Sequence, residues 1–273
     1  MNKLWFALIL IFLVVIGIFI FYFLNNHKMK PLNLVKIKPT PTVIVTPEIP
    51  KVTTYEVPIL MYHYIRIADP TDKLGVALSV TPDNFNKQMK WLSEHDFVSI
   101  HLADFADPKK QTISRIISQK KKPVVITFDD GYDNAYTEAM PILKKYGFSG
   151  TVFVIRDFVG RAEYMTQAQI DAMTANGMEI GSHTLSHIDL SKWPSLVSKK
   201  QIFDSKLDAQ TFCYPSGKFT AETVQFVKDA GYVAAVTTKG GIAHQDSNLF
   251  ELPRLRIENI SIENFAKKLT LNN

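Results

Sequence analysis

Cysteine is nearly absent from this 273-residue chain: Cys213 stands alone. A single thiol excludes an intramolecular disulfide framework and any Cys-rich zinc module. No lipidation cysteine follows the N-terminal segment, and no internal repeat is present. Charge of one sign is also lacking once the excess is located. Residues 1–52 hold six Lys and one Glu, which is the whole net charge of +5 and leaves 25 basic and 25 acidic side chains in residues 53–273. The folded part is neutral, so a nucleic-acid footprint is not expected. At 46% hydrophobic residues, the chain is too apolar to be disordered.

Apolar residues are unevenly placed. Leu4 to Leu24 is an uninterrupted run without charge, long enough to cross ~30 Å of hydrocarbon as a helix. A signal peptide would have an apolar core of ~7–15 residues and a small-residue cleavage site. This run is longer and is followed by Asn25, Asn26, His27 and Lys28, which favours an uncleaved anchor over residues 1–27. Pro31, Pro39, Pro41, Pro47 and Pro50 then punctuate residues 28–54, a composition that favours an extended, semi-rigid spacer. From Tyr55 to the end at residue 273 the texture is that of one folded domain.

Short apolar runs alternate there with amphipathic segments. Strands are expected at Val57–Tyr62, Val124–Phe128, Gly150–Ile155, Met178–Ile180, Gln210–Tyr214 and Val233–Thr237. Helices are expected at Pro82–Glu94, Ala135–Tyr146, Gln167–Asn176, Ser195–Ser205 and Ala221–Ala230. Thr81 and Thr166 stand at N-cap positions, and Gly147, Gly177 and Gly231 where helices would stop. Val124-Val125-Ile126-Thr127-Phe128 reads as a strand buried on both faces, the mark of a parallel sheet. The pattern predicts a barrel-like α/β domain.

Three polar clusters lie just past expected strand ends. Thr127-Phe128-Asp129-Asp130-Gly131 closes an apolar strand with two carboxylates, which are unfavourable to bury unless paired. Gly131 permits a turn that could bring both into one pocket, although Asp-Asp-Gly is also ordinary turn chemistry. Gly181-Ser182-His183-Thr184-Leu185-Ser186-His187 places two histidines four apart. They converge if the segment turns helically, and are otherwise a pair of surface residues. Two imidazoles and one carboxylate leave a tetrahedral zinc with an open position for water, the catalytic pattern. In Thr211-Phe212-Cys213-Tyr214-Pro215-Ser216-Gly217-Lys218, Pro215 and Gly217 break the strand, so backbone there can approach a ligand or simply turn. All three occur in order at strand C-terminal ends, the face where α/β barrels assemble their sites.

With these motifs the chain resembles the polysaccharide deacetylases, the family 4 carbohydrate esterases with a distorted, NodB-type (β/α) barrel, over roughly residues 55–260. The resemblance implies Asp129 as general base, with Asp130, His183 and His187 as metal ligands. Zinc suits that set, and cobalt or nickel would also fit. It also implies the backbone N–H of Tyr214 as an oxyanion donor. Two departures stand out. The family's Leu-x-Ile-x-His supplies the general acid, but here Leu255-Arg256-Ile257-Glu258-Asn259 ends in Asn. His63, closing the strand Val57–Tyr62, takes that place as in the permuted deacetylases of poly-β-1,6-N-acetylglucosamine. The third motif lacks the Arg that pairs with the catalytic Asp. Arg254 or Arg256, on one face of a short strand, could reach in, and Arg254 is favoured.

The implied activity is hydrolysis of acetamide groups on N-acetylglucosamine residues of an extracellular polymer, with poly-β-1,6-N-acetylglucosamine first. Peptidoglycan and chitin oligomers are the alternatives, an O-acetylxylan esterase a more distant one, and a non-catalytic carbohydrate-binding protein of the same fold another. That activity needs the domain outside a single-pass membrane anchor. Lys28, Lys30, Lys36 and Lys38 after the span would by the positive-inside rule argue the reverse orientation, but long domains translocate regardless of flanking charge.

Overall fold

The computed structural model describes residues 14–23, 55–107, 109 and 111–270. The chain divides into two units, residues 1–47 and 48–273. In the first, residues 14–23 are helical. The rest of the expected span Leu4–Leu24, and the linker at 28–54, lie outside the described residues. Among the described residues no helix is long and apolar enough to cross a membrane.

The strands of the second unit pair in parallel, save the first and the eleventh, which pair antiparallel with each other. In chain order the strands are β1 (Glu56–Val57), β2 (Ile59–Tyr62), β3 (Tyr64–Ile65), β4 (Ser79–Val80), β5 (Phe97–Ile100) and β6 (Lys122–Phe128). Then come β7 (Thr151–Val154), β8 (Glu179–Ser182), β9 (Thr211–Cys213), β10 (Ala234–Gly240), β11 (Ala243–His244) and β12 (Leu252–Arg256). The main sheet runs β2-β12-β10-β9-β8-β7-β6-β5, and β2 also pairs with β6. That second pairing closes seven strands into a parallel barrel, with β5 added along the first half of β6.

Burial of β6 on both faces shows why its sequence is continuously apolar. Val125 packs inside with Ile59, Phe153, Cys213 and Val236. Val124, Ile126 and Phe128 pack outward against Phe85, Met89 and Leu143 of the surrounding helices. Alternation of the pleat sends neighbouring residues to opposite layers. Helix Pro82–Glu94 starts where expected, with the Thr81 hydroxyl capping Asn84 N–H at 3.3 Å. Helix Gln167–Ala175 carries a full capping box from Thr166 and Gln169.

Two expected elements differ. Pro58, which has no N–H for the ladder, splits Val57–Tyr62 into β1 and β2. The expected helix Ala135–Tyr146 begins as a π-helical turn, Ala135–Ala139, and becomes α-helical only at Met140–Lys145. Pro141 withholds the N–H that an α-helical turn would donate to Thr137.

Candidate active site

Asp129 extends β6 by one residue, its N–H donating to Tyr62 O at 2.9 Å. The chain then leaves strand geometry: Asp130 has φ 72° and Gly131 φ 79°. Strand alternation would have pointed successive carboxylates to opposite faces, and the left-handed turn brings both to the barrel mouth. The sequence placed the turn at Gly131. It begins one residue earlier, at an Asp, one of the few residue types that tolerates this conformation.

Asp129 is buried and held by a fork. Arg254 Nη1 donates to its Oδ1 and Nη2 to its Oδ2, both at 2.7 Å. The guanidinium, with no exposed surface, also donates through Nε to Thr237 O at 2.9 Å and through Nη1 to Thr127 Oγ1 at 3.0 Å. Thr127 in turn donates to Leu60 O at 2.7 Å. Burial alone would raise the Asp129 pKa, but the Arg254 charge and hydrogen bonds reverse this and hold it far below the usual carboxylate range. Of the two arginines on β12, Arg254 points inward to this pair, while Arg256 is exposed at the rim.

His63 follows β2 and sets its Nε2 3.8 Å from Asp129 Oδ2. Burial lowers its pKa below the ordinary histidine value, against the pull of Asp129 and Asp130. Asn259, where a histidine was sought, braces the start of helix Pro82–Glu94. Its Oδ1 accepts from Asn84 Nδ2 at 2.9 Å and from the Thr81 N–H and hydroxyl at 3.3 Å.

His183 and His187 converge on the second carboxylate. Each Nε2 lies 3.4 Å from Asp130 Oδ1. The segment between them is a non-helical turn, with Thr184 at φ 67° and His187 at φ 57°, so the two converge without the helical turn on which the spacing alone made convergence depend. The Thr184 hydroxyl fixes it by accepting from His187 N–H at 2.9 Å. His183 Nδ1 stands 2.7 Å from Cys213 O. A carbonyl only accepts, so Nδ1 carries a proton, and Nε2, which faces Asp130, is the nitrogen that would ligate a metal on giving up its own proton. Burial opposes charge on His183, but contact with Cys213 and Asp130 raises its pKa well above the ordinary value. Burial and the His183 neighbour lower that of His187.

This donor set fits a divalent cation. The three ligand atoms of Asp130, His183 and His187 lie within 4.8 Å of one another. Ligands ~2.0–2.2 Å from a shared tetrahedral ion stand roughly 3.3–3.5 Å apart, the spacing Asp130 Oδ1 has from each of the two histidine nitrogens. Asp129, His183 and Cys213 also cluster within 4.8 Å but suit a cation poorly. Both Asp129 oxygens accept from Arg254, and burial raises the Cys213 pKa and keeps the thiol protonated.

Tyr214 closes β9. Its N–H, the expected oxyanion donor, donates to Val236 O at 3.2 Å, so this structure commits it to the sheet. Its side chain turns outward, the hydroxyl donating to Phe250 O at 3.0 Å. Sequence reasoning gave no role to Thr127, to the carbonyl of Cys213 or to that of Thr237. Only Thr127 carried a signal, as a hydroxyl inside an apolar run.

A family model described as polysaccharide deacetylase matches residues 117–235. YxkH of Bacillus subtilis, a polysaccharide deacetylase by name, is 34% identical over 74% of this chain and 71% of its own length. A protein of Staphylococcus epidermidis named poly-β-1,6-N-acetyl-D-glucosamine N-deacetylase is 26% identical over 77% of this chain and 81% of its own. The solved structure of the Streptococcus pyogenes deacetylase PplD, in complex with acetate, superposes with a TM-score of 0.69 at 32% identity, covering 79% of this chain and 99% of that one. The chain therefore belongs to the polysaccharide deacetylases, NodB-type enzymes that hydrolyse amide bonds in polysaccharides.

Proposed function

We propose that this chain is a metal-dependent N-deacetylase acting on N-acetylglucosamine residues of an extracellular polysaccharide, with poly-β-1,6-N-acetylglucosamine as substrate. One observation carries the reading: His63, from the first barrel strand, stands 3.8 Å from an Arg-held Asp129, beside the convergent Asp130, His183 and His187. An acid–base pair next to a cation site is what amide hydrolysis requires, whereas sugar binding alone requires none of it. The histidine comes from the N-terminal strand while Asn259 serves a helix, and the relative named for the β-1,6 polymer supports that linkage.

Enzymes of this family use a divalent metal. Asp130, His183 and His187 would hold it, with zinc first on the tetrahedral spacing and cobalt or nickel as alternatives. When bound, such an ion supplies Lewis acidity toward the acetamide carbonyl and toward water. The remaining work falls to the protein. Asp129 accepts a proton from the attacking water through the lone pairs that Arg254 leaves free. Arg254 keeps that carboxylate ionised and oriented. His63, protonated at Nε2, gives its proton to the departing amine. Tyr214 N–H serves the oxyanion only by releasing or sharing its bond to Val236 O. The product polymer carries free amines and becomes cationic, which alters its adhesion to anionic surfaces. The uncharged apolar run Leu4–Leu24 supports a reading in which residues 1–27 anchor the enzyme in the membrane with its catalytic domain outside, where such a polymer lies.

The test is acetate release by the metal-loaded full chain from β-1,6- and β-1,4-linked N-acetylglucosamine oligomers in parallel. A β-1,6 preference that is abolished by chelation, restored by Zn²⁺, and lost in Asp129→Asn and His63→Ala is the expected result. A β-1,4 preference would move the function to peptidoglycan or chitin. Sugar binding without turnover would leave only a binding protein.

A further inference from the structure

Four aromatic rings lie in contact in a row on the catalytic face and belong to none of the three hydrophobic clusters. Tyr64 and Tyr132 stack with centroids 3.7 Å apart and planes at 20°. Tyr132 meets Tyr164 at 5.0 Å and 33°, and Tyr164 meets the edge of Phe158 at 5.0 Å and 72°. The inner two are 9% exposed, while Tyr164 and Phe158 are only partly buried. The row thus starts beneath the surface and emerges from it.

Its position is fixed by the catalytic turn. Tyr132 follows Gly131 directly, and Tyr64 follows His63. The loop bearing Tyr164 is stitched to that turn: Met165 N–H donates to Gly131 O at 3.0 Å, Asp133 N–H to Glu163 O at 2.9 Å, and Tyr132 and Tyr164 form a β-bridge. Arg161 covers Phe158, its guanidinium carbon 4.4 Å from the ring centroid, and so braces the outer end.

A pyranose with equatorial substituents presents a face of C–H groups, and an aromatic ring is the surface that packs on it while its hydroxyls stay wet. We infer that Tyr164, seated on the buried Tyr64–Tyr132 pair and flanked by Phe158, is the platform for a sugar ring next to the N-acetylglucosamine being deacetylated, and that it determines how strongly the enzyme prefers longer oligomers. This rests on the proposed substrate class. The stack gives the polymer a surface fixed relative to Asp129 and Asp130, so contacts to a flanking sugar set the register of the reacting one.

The experiment compares Tyr164→Leu and Tyr164→Phe with the wild-type full chain, metal-loaded, on β-linked N-acetylglucosamine dimers to pentamers, alongside metal content and melting temperature. Leu keeps apolar bulk and removes the ring, while Phe keeps the ring and removes the hydroxyl. The expected result is a KM for the pentamer raised roughly three- to tenfold in Tyr164→Leu, with kcat and metal content kept and a flattened dependence on chain length, and near-wild-type behaviour in Tyr164→Phe. An unchanged KM in Tyr164→Leu, or a loss confined to kcat and melting temperature, would overturn the platform while leaving the proposed function standing. Wild-type silence on every oligomer would overturn both.

Discussion

Replacing Arg254 by Gln tests how the site is held together, because the structure assigns that guanidinium one main task. It is fully buried and gives two 2.7 Å hydrogen bonds to Asp129, itself 3% exposed. Glutamine fills part of the space but leaves a buried carboxylate without its countercharge, a change that costs about 3–5 kcal/mol when one partner of a buried pair is removed. For a domain of this size the melting temperature should fall on the order of 10 °C. The loss depends on pH in a defined direction. In the wild type the depressed Asp129 pKa contributes stability that is complete above the unfolded value of ~3.9 and is lost only as pH falls through the depressed one. In the variant burial is opposed only by the weaker pulls of His63 and His183, so the pKa rises and Asp129 destabilises the fold as pH rises from ~4 toward neutrality. The gap between the two proteins is therefore widest near pH 7 and narrows toward pH 4. Urea denaturation across that range measures it. In the pH–rate profile at saturating metal, where ionised Asp129 is required, the acid limb of the variant moves to higher pH. A pH-independent gap below ~1 kcal/mol, with an unmoved acid limb, would refute the assignment.

Three further outcomes follow from the same geometry. His63→Ala should lower kcat by ~10²–10⁴-fold without changing metal content, and should remove the fall in rate that sets in as pH rises through the lowered His63 pKa; near-normal turnover would end its role as acid. Asp130→Asn should fold as the wild type, since Asn also tolerates the left-handed φ of 72°, yet lose bound divalent metal by elemental analysis; retained metal would remove Asp130 from the ligand set. Cys213, buried with a raised thiol pKa, should resist iodoacetamide at pH 8 until the chain is unfolded, and rapid labelling of the native protein would contradict its placement.

How much of this was legible in the sequence differs between the two halves of the site. Asp129, Asp130, His183 and His187 stand in short contiguous motifs at the ends of apolar runs, so local pattern carries them. The conformation that makes them converge was less visible. Residues at φ 57–72° in Asp130, Thr184 and His187 do what the sequence could offer only through a helical turn and a single glycine, and no periodicity announces a left-handed Asp or His. Strain of this kind is maintained by the surroundings, here the Thr184 hydroxyl on His187 N–H and the sheet on either side.

Arg254 illustrates the other half. It lies 125 positions from Asp129 in the sequence, and what brings the two together is closure of the barrel: β12 pairs with β2, and β2 with β6. The sequence could reduce the choice to two arginines on one strand face, because alternation puts Arg254 and Arg256 on the same side. Only depth along the strand separates them. Arg254 lies opposite Gly240 in the β10 register and inside the barrel, while Arg256 lies opposite Met61 and reaches the rim. The same closure explains the aromatic row, whose members come from positions 64, 132, 158 and 164, two of them next to catalytic motifs and two from a loop with no signal of its own. Side chains proposed to perform the chemistry were therefore readable from their neighbours in sequence. Those that hold the chemistry in place, or present a surface to the polymer, are neighbours only across the ring of strands, and contacts of that range become visible only when the barrel is closed.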